Sequence, residues 1–535
     1  MTTRPKPSYG PDTNWHHSGA MGIFKKRRTE QRSMTTHNEK SSVHDAGVRH
    51  SEGRRSRHSR EHQQPQHHLQ LPTYNHNGHL VTKGIQPDGE SGRSWFHPWH
   101  FVRICWRSTS TLSKWTNILW PFTIAAMVMH FGYLEPLSHV EEMDEEQREL
   151  YHRYELWTFI TAYIGMVPAA NLVGFAGQEL ARKIPKVLGV LLETTFGSIV
   201  EIILFMVLLC GKPGPQIAVI RAAILGSILA NLLLCLGLCF TVGGIFRPQQ
   251  VFHEAISEVG SNLMLVAGLG LIIPTIFYNS LTSRYPDPTT LPALYGKTLS
   301  ISRAAAIVLL FAFCVYVFFQ MRSHHGLYED ILEADEERDA DRHKDMQKDK
   351  LTLTECIIAL GIALTFVSFM AIFLVQEIEY LVQERGVSDA LIGLILVPFV
   401  EKAAEHLTAI DEAYDNQMNF ALAHVLGASV QTALLNAPLV VIVGWGLDYD
   451  MSLNFELFDA VMLILAIIVV GNFLRDEKSD YLEGALCVLV YILIAVSAYY
   501  YPNPIDGEEG EGTASGEGGG AEGEVAKMLA RMVMG

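Results

Sequence analysis

The sequence predicts an all-α membrane protein of eleven transmembrane helices, laid out as one helix followed by two inverted repeats of five. Three observations predict it. Apolar residues gather in stretches of about 20 between Asn117 and Tyr501, each long enough to cross a bilayer core as a helix. An acidic segment, Glu329 to Lys350, divides those stretches into six and five. The chain around Glu201 also aligns with the chain around Glu405, 204 residues later.

Totals alone conceal this pattern, because the chain is 49% hydrophobic over 535 residues and its polar ends dilute an apolar middle. The net charge of −16 comes largely from the acidic linker and the C-terminal tail, so nucleic acid is not an expected partner. Seven cysteines, odd in number and without paired metal-ligand spacing, support neither a disulfide framework nor a zinc site, and no cofactor is expected. A soluble-enzyme reading fails for want of a soluble catalytic domain.

Taken in order, residues 1–112 are rich in His, Arg, Ser and Gly without apolar periodicity, and read as a disordered cytosolic N-terminus. No short apolar core with a small-residue cleavage site stands there, so the first span is expected to act as an uncleaved signal. A first helix and acidic loop occupy 113–155, a first repeat 156–321, the acidic cytosolic linker 322–350, a second repeat 351–501 and a Gly/Glu-rich tail 502–535. The expected spans are 117–134, 156–176, 186–210, 217–240, 256–279, 300–321, 354–375, 387–410, 419–444, 457–474 and 481–501. With the basic N-terminus in the cytosol, Arg182, Lys183, Lys186 and Arg247 fall on the cytosolic side. The linker lacks the spacing of an EF-hand loop and reads as a soluble connector.

In the repeat, Leu188-Gly189-Val190-Leu191-Leu192 matches Ile392-Gly393-Leu394-Ile395-Leu396, and Ile199-Val200-Glu201 matches Ala403-Ala404-Glu405. Leu225-Gly226-Ser227 then answers Leu426-Gly427-Ala428-Ser429, with Leu233-Leu234 answering Leu434-Leu435. Five spans per copy, an odd number, force the second copy through the membrane in the opposite sense. Inverted repeats place substrate and ion sites near the midplane, where the two copies meet.

Glu193, Glu201, Glu401, Lys402, Glu405 and His406 fall inside these apolar stretches. An ionised group at mid-bilayer costs roughly 2.5–3.5 kcal/mol even on the lenient insertion scale, so such a cluster needs a polar cavity or its own partners. Spacing puts Glu401 and Glu405 on one helix face, with Lys402 within reach of Glu405. A hard cation wants six to eight oxygens, which glutamates supplemented by Ser198, Ser227, Asn231, Ser429 and Gln431 supply. Protons and cation then compete for the same carboxylates, as antiport requires. Glu193 and His424 are further candidate proton carriers, a satisfied buried imidazole being the plainer reading of His424.

From about Leu156 to Tyr500 the chain resembles the cation/proton exchangers of the Ca²⁺/cation antiporter superfamily, the vacuolar Ca²⁺/H⁺ exchangers of fungi and plants in particular. The residues that carry the resemblance are Thr195-Phe196-Gly197-Ser198-Ile199-Val200-Glu201, Gly226-Ser227-Ile228-Leu229-Ala230-Asn231, Ser302-Arg303 and Tyr316 to Gln320. Ala403-Ala404-Glu405-His406, Gln431, Leu482-Glu483-Gly484-Ala485 and the acidic linker complete it. The resemblance implies a sodium/calcium exchanger-like fold and an alternating-access carrier whose third and eighth spans cross at the site. It implies that Glu201 and Glu405 are the metal ligands exchanging Ca²⁺ for protons, and that the protein sits in a vacuolar or other endomembrane.

Two departures keep the ion open. The family has Asn where this chain has Ser198, and Gly-Asn where it has Glu401-Lys402. If Glu401 neutralises Lys402, the four groups Glu201, Glu401, Lys402 and Glu405 carry a formal charge of −2 and a divalent ion such as Ca²⁺ suits the site. If Lys402 instead pairs with Glu405, a monovalent ion such as Na⁺ or K⁺ suits it. A third reading has the Glu401-Lys402 pair lock the site, leaving a non-transporting regulatory or scaffold membrane protein. Cations, protons and the lipid bilayer are the expected partners, and self-association into a homo-oligomer stays open.

Overall fold

The computed structural model describes residues 80–502 apart from 83–84, 139–143, 212–215, 283, 285–289, 340–341 and 343–346. The basic start of the chain through residue 79 and the acidic tail from 503 lie outside the described residues.

Among the described residues, ten helices are long and apolar enough to cross a membrane. After a short helix α1 (Pro98–Arg107), they are α2 (Leu112–Leu137), α3 (Glu145–Ala181), α4 (Val187–Cys210), α5 (Ile217–Phe246), α6 (Glu254–Thr282) and α7 (Leu291–Ser323). The linker helix α8 (His325–Glu336) leads to α9 (Leu353–Gln383). Beyond the broken segment described next come α12 (Met418–Gly446), α13 (Leu457–Asp476) and α14 (Tyr481–Tyr499). A two-residue antiparallel bridge, Gln250–Val251 with Lys478–Ser479, ties the start of α6 to the end of α13.

The expected span 387–410 is not one uninterrupted helix. Its first half, α10, runs through 389–401 with a π-helical turn at Ile392–Leu396, and its second half is α11 (Ala403–Tyr414). The break falls at Lys402 (φ −89°, ψ −5°), four residues after Pro398 and beside Glu401, Glu405 and His406. Split in this way, neither half is long enough to count as an unbroken membrane-spanning helix.

Helices α5 and α12 form the centre: 89% and 83% of their apolar windows are buried, against 11% for α7 and 28% for α14. Their neighbours are crossed, α10 packing on α5 and α4 on α12. Glycines allow the first of these approaches. A Cβ on Gly393 would lie 2.6 Å from Ala222 Cβ, and one on Gly226 would lie 2.7 Å from the Leu394 backbone. Peripheral helices turn large apolar side chains outward, among them Phe311 and Phe318 on α7 and Leu493 on α14. Such a girdle suits hydrocarbon rather than water.

The expectation of disorder through residue 112 does not hold for its described end. Residues 85–107 pack on the membrane helices: Lys183 Nζ donates to Gly89 O at 2.6 Å, and Arg93 donates to Lys350 O at 2.7 Å. The His97 amide meets Glu355 at 3.1 Å. Buried Glu179 accepts from the Leu351 amide at 2.8 Å, so this segment and the end of the linker share one set of partners. The two landmarks Ser302 and Arg303 also have structural work. Ser302 Oγ accepts from the Leu453 amide at 3.0 Å, holding the buried chain between α12 and α13, and Arg303 lies over the Trp445 ring at 5.1 Å.

Candidate functional site

The site forms where three helices lose regularity. π-Helical turns widen α5 at Ala230–Cys235, α10 at Ile392–Leu396 and α12 at Thr432–Asn436, and α10 ends at Lys402. Such turns shift backbone register and re-aim side chains, which is why they recur at functional sites.

Glu201, on α4, is 1% exposed. Its Oε2 accepts from Thr432 Oγ1 and from Asn436 Nδ2, both at 2.8 Å, so one carboxylate edge is fixed by α12. The Lys402 ammonium lies 3.0 Å from the same oxygen and 3.4 Å from Glu405 Oε2. Lys402 therefore bridges the two glutamates, each from a different part of the chain. Glu405 is held more loosely, with 23% of its side chain exposed and no donor on either oxygen other than that ammonium. Its carboxylate rests on the bare backbone of Gly197, into which any Cβ would intrude.

Among the described residues, the close ion pairs of Lys402 are with Glu201 and Glu405 rather than with Glu401. Both Glu401 oxygens are buried without a hydrogen bond among the described residues, and Glu401 still interacts through its charge with Lys402, Glu201 and Glu405. Of the alternatives, the pairing of Lys402 with Glu405 is present, extended to Glu201.

The remaining candidates divide. Ser198 Oγ donates to Gln431 Oε1 at 2.8 Å, and Gln431 Nε2 donates to Thr194 Oγ1 at 2.6 Å, a buried chain joining α4 to α12. His406 Nε2 and Asn231 Oδ1 lie 3.1 Å apart, joining α11 to α5. Ser429 is different: its hydroxyl bonds back to Val425 O at 2.8 Å and takes no part in the cluster. Glu193 and His424 stand apart from the two central glutamates, the carboxylate 3.5 Å from Nε2, while Glu412 meets Nδ1 at 2.8 Å.

Sequence reasoning missed Thr432, Asn436, Thr194 and Glu412. Thr432 and Asn436 had a signal, two polar residues four apart in an apolar stretch and hence on one helix face.

Several oxygens here are buried yet undonated: among the described residues, Glu201 Oε1 and Asn436 Oδ1 have no hydrogen bond. Buried acceptors are nearly always satisfied, so orphans clustered around two carboxylates suit a cation of oxygen preference. A cavity of about 40 Å³, room for about three waters, reaches Glu405 from the side of His406 and His424.

The sodium/calcium exchanger protein family matches residues 154–322 and 356–500. The chain is 32% identical to vacuolar cation/proton exchanger 2 of Oryza sativa subsp. japonica over 74% of this chain and 87% of that protein. It is likewise 32% identical to the vacuolar calcium ion transporter of Schizosaccharomyces pombe, over 64% and 79% respectively. Against the Ca²⁺/H⁺ antiporter of Aphanothece halophytica it is 32% identical over 66% of this chain and 92% of that one. In fold it is similar to the solved structure of native YfkE, with a TM-score of 0.54 at 24% identity, covering 72% of this chain and all of the other. With the matched residues spanning both glutamate-bearing helices, the chain belongs to the sodium/calcium exchanger protein family.

Proposed function

We propose that this protein is a proton-coupled cation antiporter of an acidic endomembrane compartment, a vacuole foremost, with Ca²⁺ as its leading substrate and its N-terminus in the cytosol. One observation carries the reading: Glu201 and Glu405 converge from two separate matched segments on a point already held by a cation, the Lys402 ammonium. The names of the relatives support Ca²⁺ and protons as the exchanged species.

The geometry suggests a division of labour. Thr432 and Asn436 hold Glu201 in place, while Glu405, freer and facing the cavity, receives the incoming ion or proton. Lys402 acts as a tethered counter-cation that keeps the empty site from standing as bare carboxylates in a buried place. A cation enters by taking those oxygens from the ammonium, and protons arriving on the carboxylates release it again. The proposed inverted-repeat layout supplies the alternating access, with α4 and the α10–α11 pair crossing at the site.

The singly charged ammonium between the carboxylates favours a second reading, exchange of Na⁺ or K⁺ for protons. Sealed contacts about Lys402 would instead suit a non-transporting role. Purified protein in sealed vesicles separates the three. A pH gradient that drives ⁴⁵Ca²⁺ accumulation upholds the first, proton efflux evoked only by Na⁺ or K⁺ replaces it with the second, and no coupled flux leaves the third.

A further inference from the structure

A second group of titratable side chains lies outside the cation cluster. His424 on α12 is gripped from two sides: Glu412 of α11 meets Nδ1 at 2.8 Å and Glu193 of α4 faces Nε2 at 3.5 Å. All three side chains are mostly buried, His424 11% exposed, Glu412 11% and Glu193 17%. Each ring nitrogen faces a carboxylate, Nδ1 in hydrogen-bond contact with Glu412 and Nε2 across 3.5 Å from Glu193, an arrangement that orients the ring and lets a proton enter at one nitrogen while another leaves from the other.

Its position in the cavities is what gives the trio a role. His424 and Glu193 line the small cavity that reaches Glu405 and His406. They also line a second, larger cavity of about 560 Å³, and Glu412 lines this second one as well. Charged groups face the larger cavity from every element packed around it. Glu329, Glu333 and Glu336 come from α8, with Asp339 and Arg342 from the linker beyond it. Asp411 and Asp415 come from the end of α11 and its turn, and Arg182, Lys350 and Glu90 from the packed ends of α3, the linker and the N-terminal segment. Acids outnumber bases, so the vestibule concentrates cations, hydronium among them. His424 and Glu193 form the wall shared by the vestibule and the cavity of Glu405, with Glu412 on the vestibule side.

We propose that His424, held between Glu193 and Glu412, is a proton-transfer station distinct from the cation site, carrying protons between the acid-lined vestibule and Glu405. This rests on the proton-coupled reading above. In the inward step a proton from the vestibule bonds to Nδ1 on the Glu412 side as the proton on Nε2 passes to Glu193. Glu193 passes it on across the small cavity to Glu405, and a half-turn of the ring that exchanges its two nitrogens restores the first tautomer and completes the cycle. No charge is created or lost, since one N–H bond forms as the other breaks. The cation keeps its own oxygens on Glu201 and Glu405, so ion and proton reach one site by different side chains.

The test is chemical rescue in the full chain, reconstituted in sealed vesicles. In His424→Ala the side chain leaves a hole continuous with the vestibule, which free imidazole can enter. Cation-driven proton flux is expected to fall at least about tenfold, in line with the contribution of a positioned proton carrier. Equilibrium ⁴⁵Ca²⁺ binding at fixed pH is expected to stay at the wild-type level, and imidazole is expected to restore flux in proportion to its concentration. Flux at the wild-type level in this variant, or lost flux that imidazole does not restore, overturns the station. Should the alanine variant fail to fold, Glu412→Gln keeps the size of the side chain and is expected to change the pH profile of proton flux; an unchanged profile overturns the station equally. A wild-type chain that moves no proton with any cation sinks the exchange reading itself, and the station with it, whereas wild-type flux with an indifferent His424→Ala sinks the station alone.

Discussion

Lys402 is the residue on which the chemistry turns. Its ammonium lies within 3.4 Å of both glutamates while buried to 1% exposure. Replacing it by Asn removes the resident cation and leaves the carboxylates to an incoming one. Charges at such separations interact by several kcal/mol even at an effective dielectric near 20, so equilibrium Ca²⁺ binding to Lys402→Asn is expected to tighten by at least about tenfold. Equal or weaker binding, measured by ⁴⁵Ca²⁺ titration, contradicts the tethered-cation account. Gly197 gives a second prediction. A Cβ there collides with the flexible tip of Glu405 rather than with backbone, so Gly197→Ala should fold with a near-normal melting temperature yet lose about tenfold in Ca²⁺ affinity as the carboxylate is displaced. Normal affinity in that variant would show that the carboxylate position does not matter. At this scale the sequence was most informative where charge met apolar surroundings. Glu201, Glu405 and Lys402 stood out for that reason, whereas Thr432 and Asn436, neutral and small, looked like any polar residue in a span. Local spacing already offered Glu405 as a partner of Lys402, whereas its second partner, Glu201, is brought in from α4 and lay beyond the reach of local spacing.

Among the elements, the linker helix α8 behaves least as its composition suggests. A run of acids reads as a solvated connector, yet Asp335 within it is fully buried and caps α12, accepting from the Asn419 amide at 2.8 Å, the Asn419 side chain at 3.1 Å and the Phe420 amide at 3.3 Å. Asp335→Ala strands those donors, and a buried unsatisfied group costs about 1–3 kcal/mol. Hydrogen exchange should therefore speed up across residues 325–336 and the first turn of α12, and unchanged protection would remove Asp335 from its capping role. Burial pushes the Asp335 carboxyl above its ordinary value of 3.8, opposed by the hydrogen bonds from Asn419 and Phe420 and by Arg338. The docked helix thus binds its proton more tightly than the undocked one. Docking is then strongest in acid and weakens as pH rises through the window between 3.8 and the raised value. Exchange of the linker, corrected for the intrinsic pH dependence, should show that direction, and the reverse trend would contradict it. The same gap between composition and packing hid the ordered segment at 85–107. Its helix α1 is short and mixes arginines with tryptophans, too brief for a periodic pattern, although Trp95, Trp99 and Trp106 in so polar a stretch were a usable sign of an interface.

For the whole molecule, hydropathy was enough to read a polytopic helical bundle, because satisfying the backbone inside lipid leaves a helix as the available answer for a 20-residue apolar run. The ten plain spans follow that rule, and the segment that departs from it carries Lys402 and Glu405. The claim beneath the entire account is competition: a cation and protons seek the same two carboxylates. Counting protons released on cation binding tests it most directly, with purified protein in weakly buffered nanodiscs at fixed starting pH and Ca²⁺ added in steps. The account predicts that wild-type protein acidifies the medium as Ca²⁺ binds, and that Glu201→Gln and Glu405→Gln, though expressed and folded, neither bind Ca²⁺ nor release protons. Tight Ca²⁺ binding by the wild type with no proton released, or undiminished release from either variant, would contradict it.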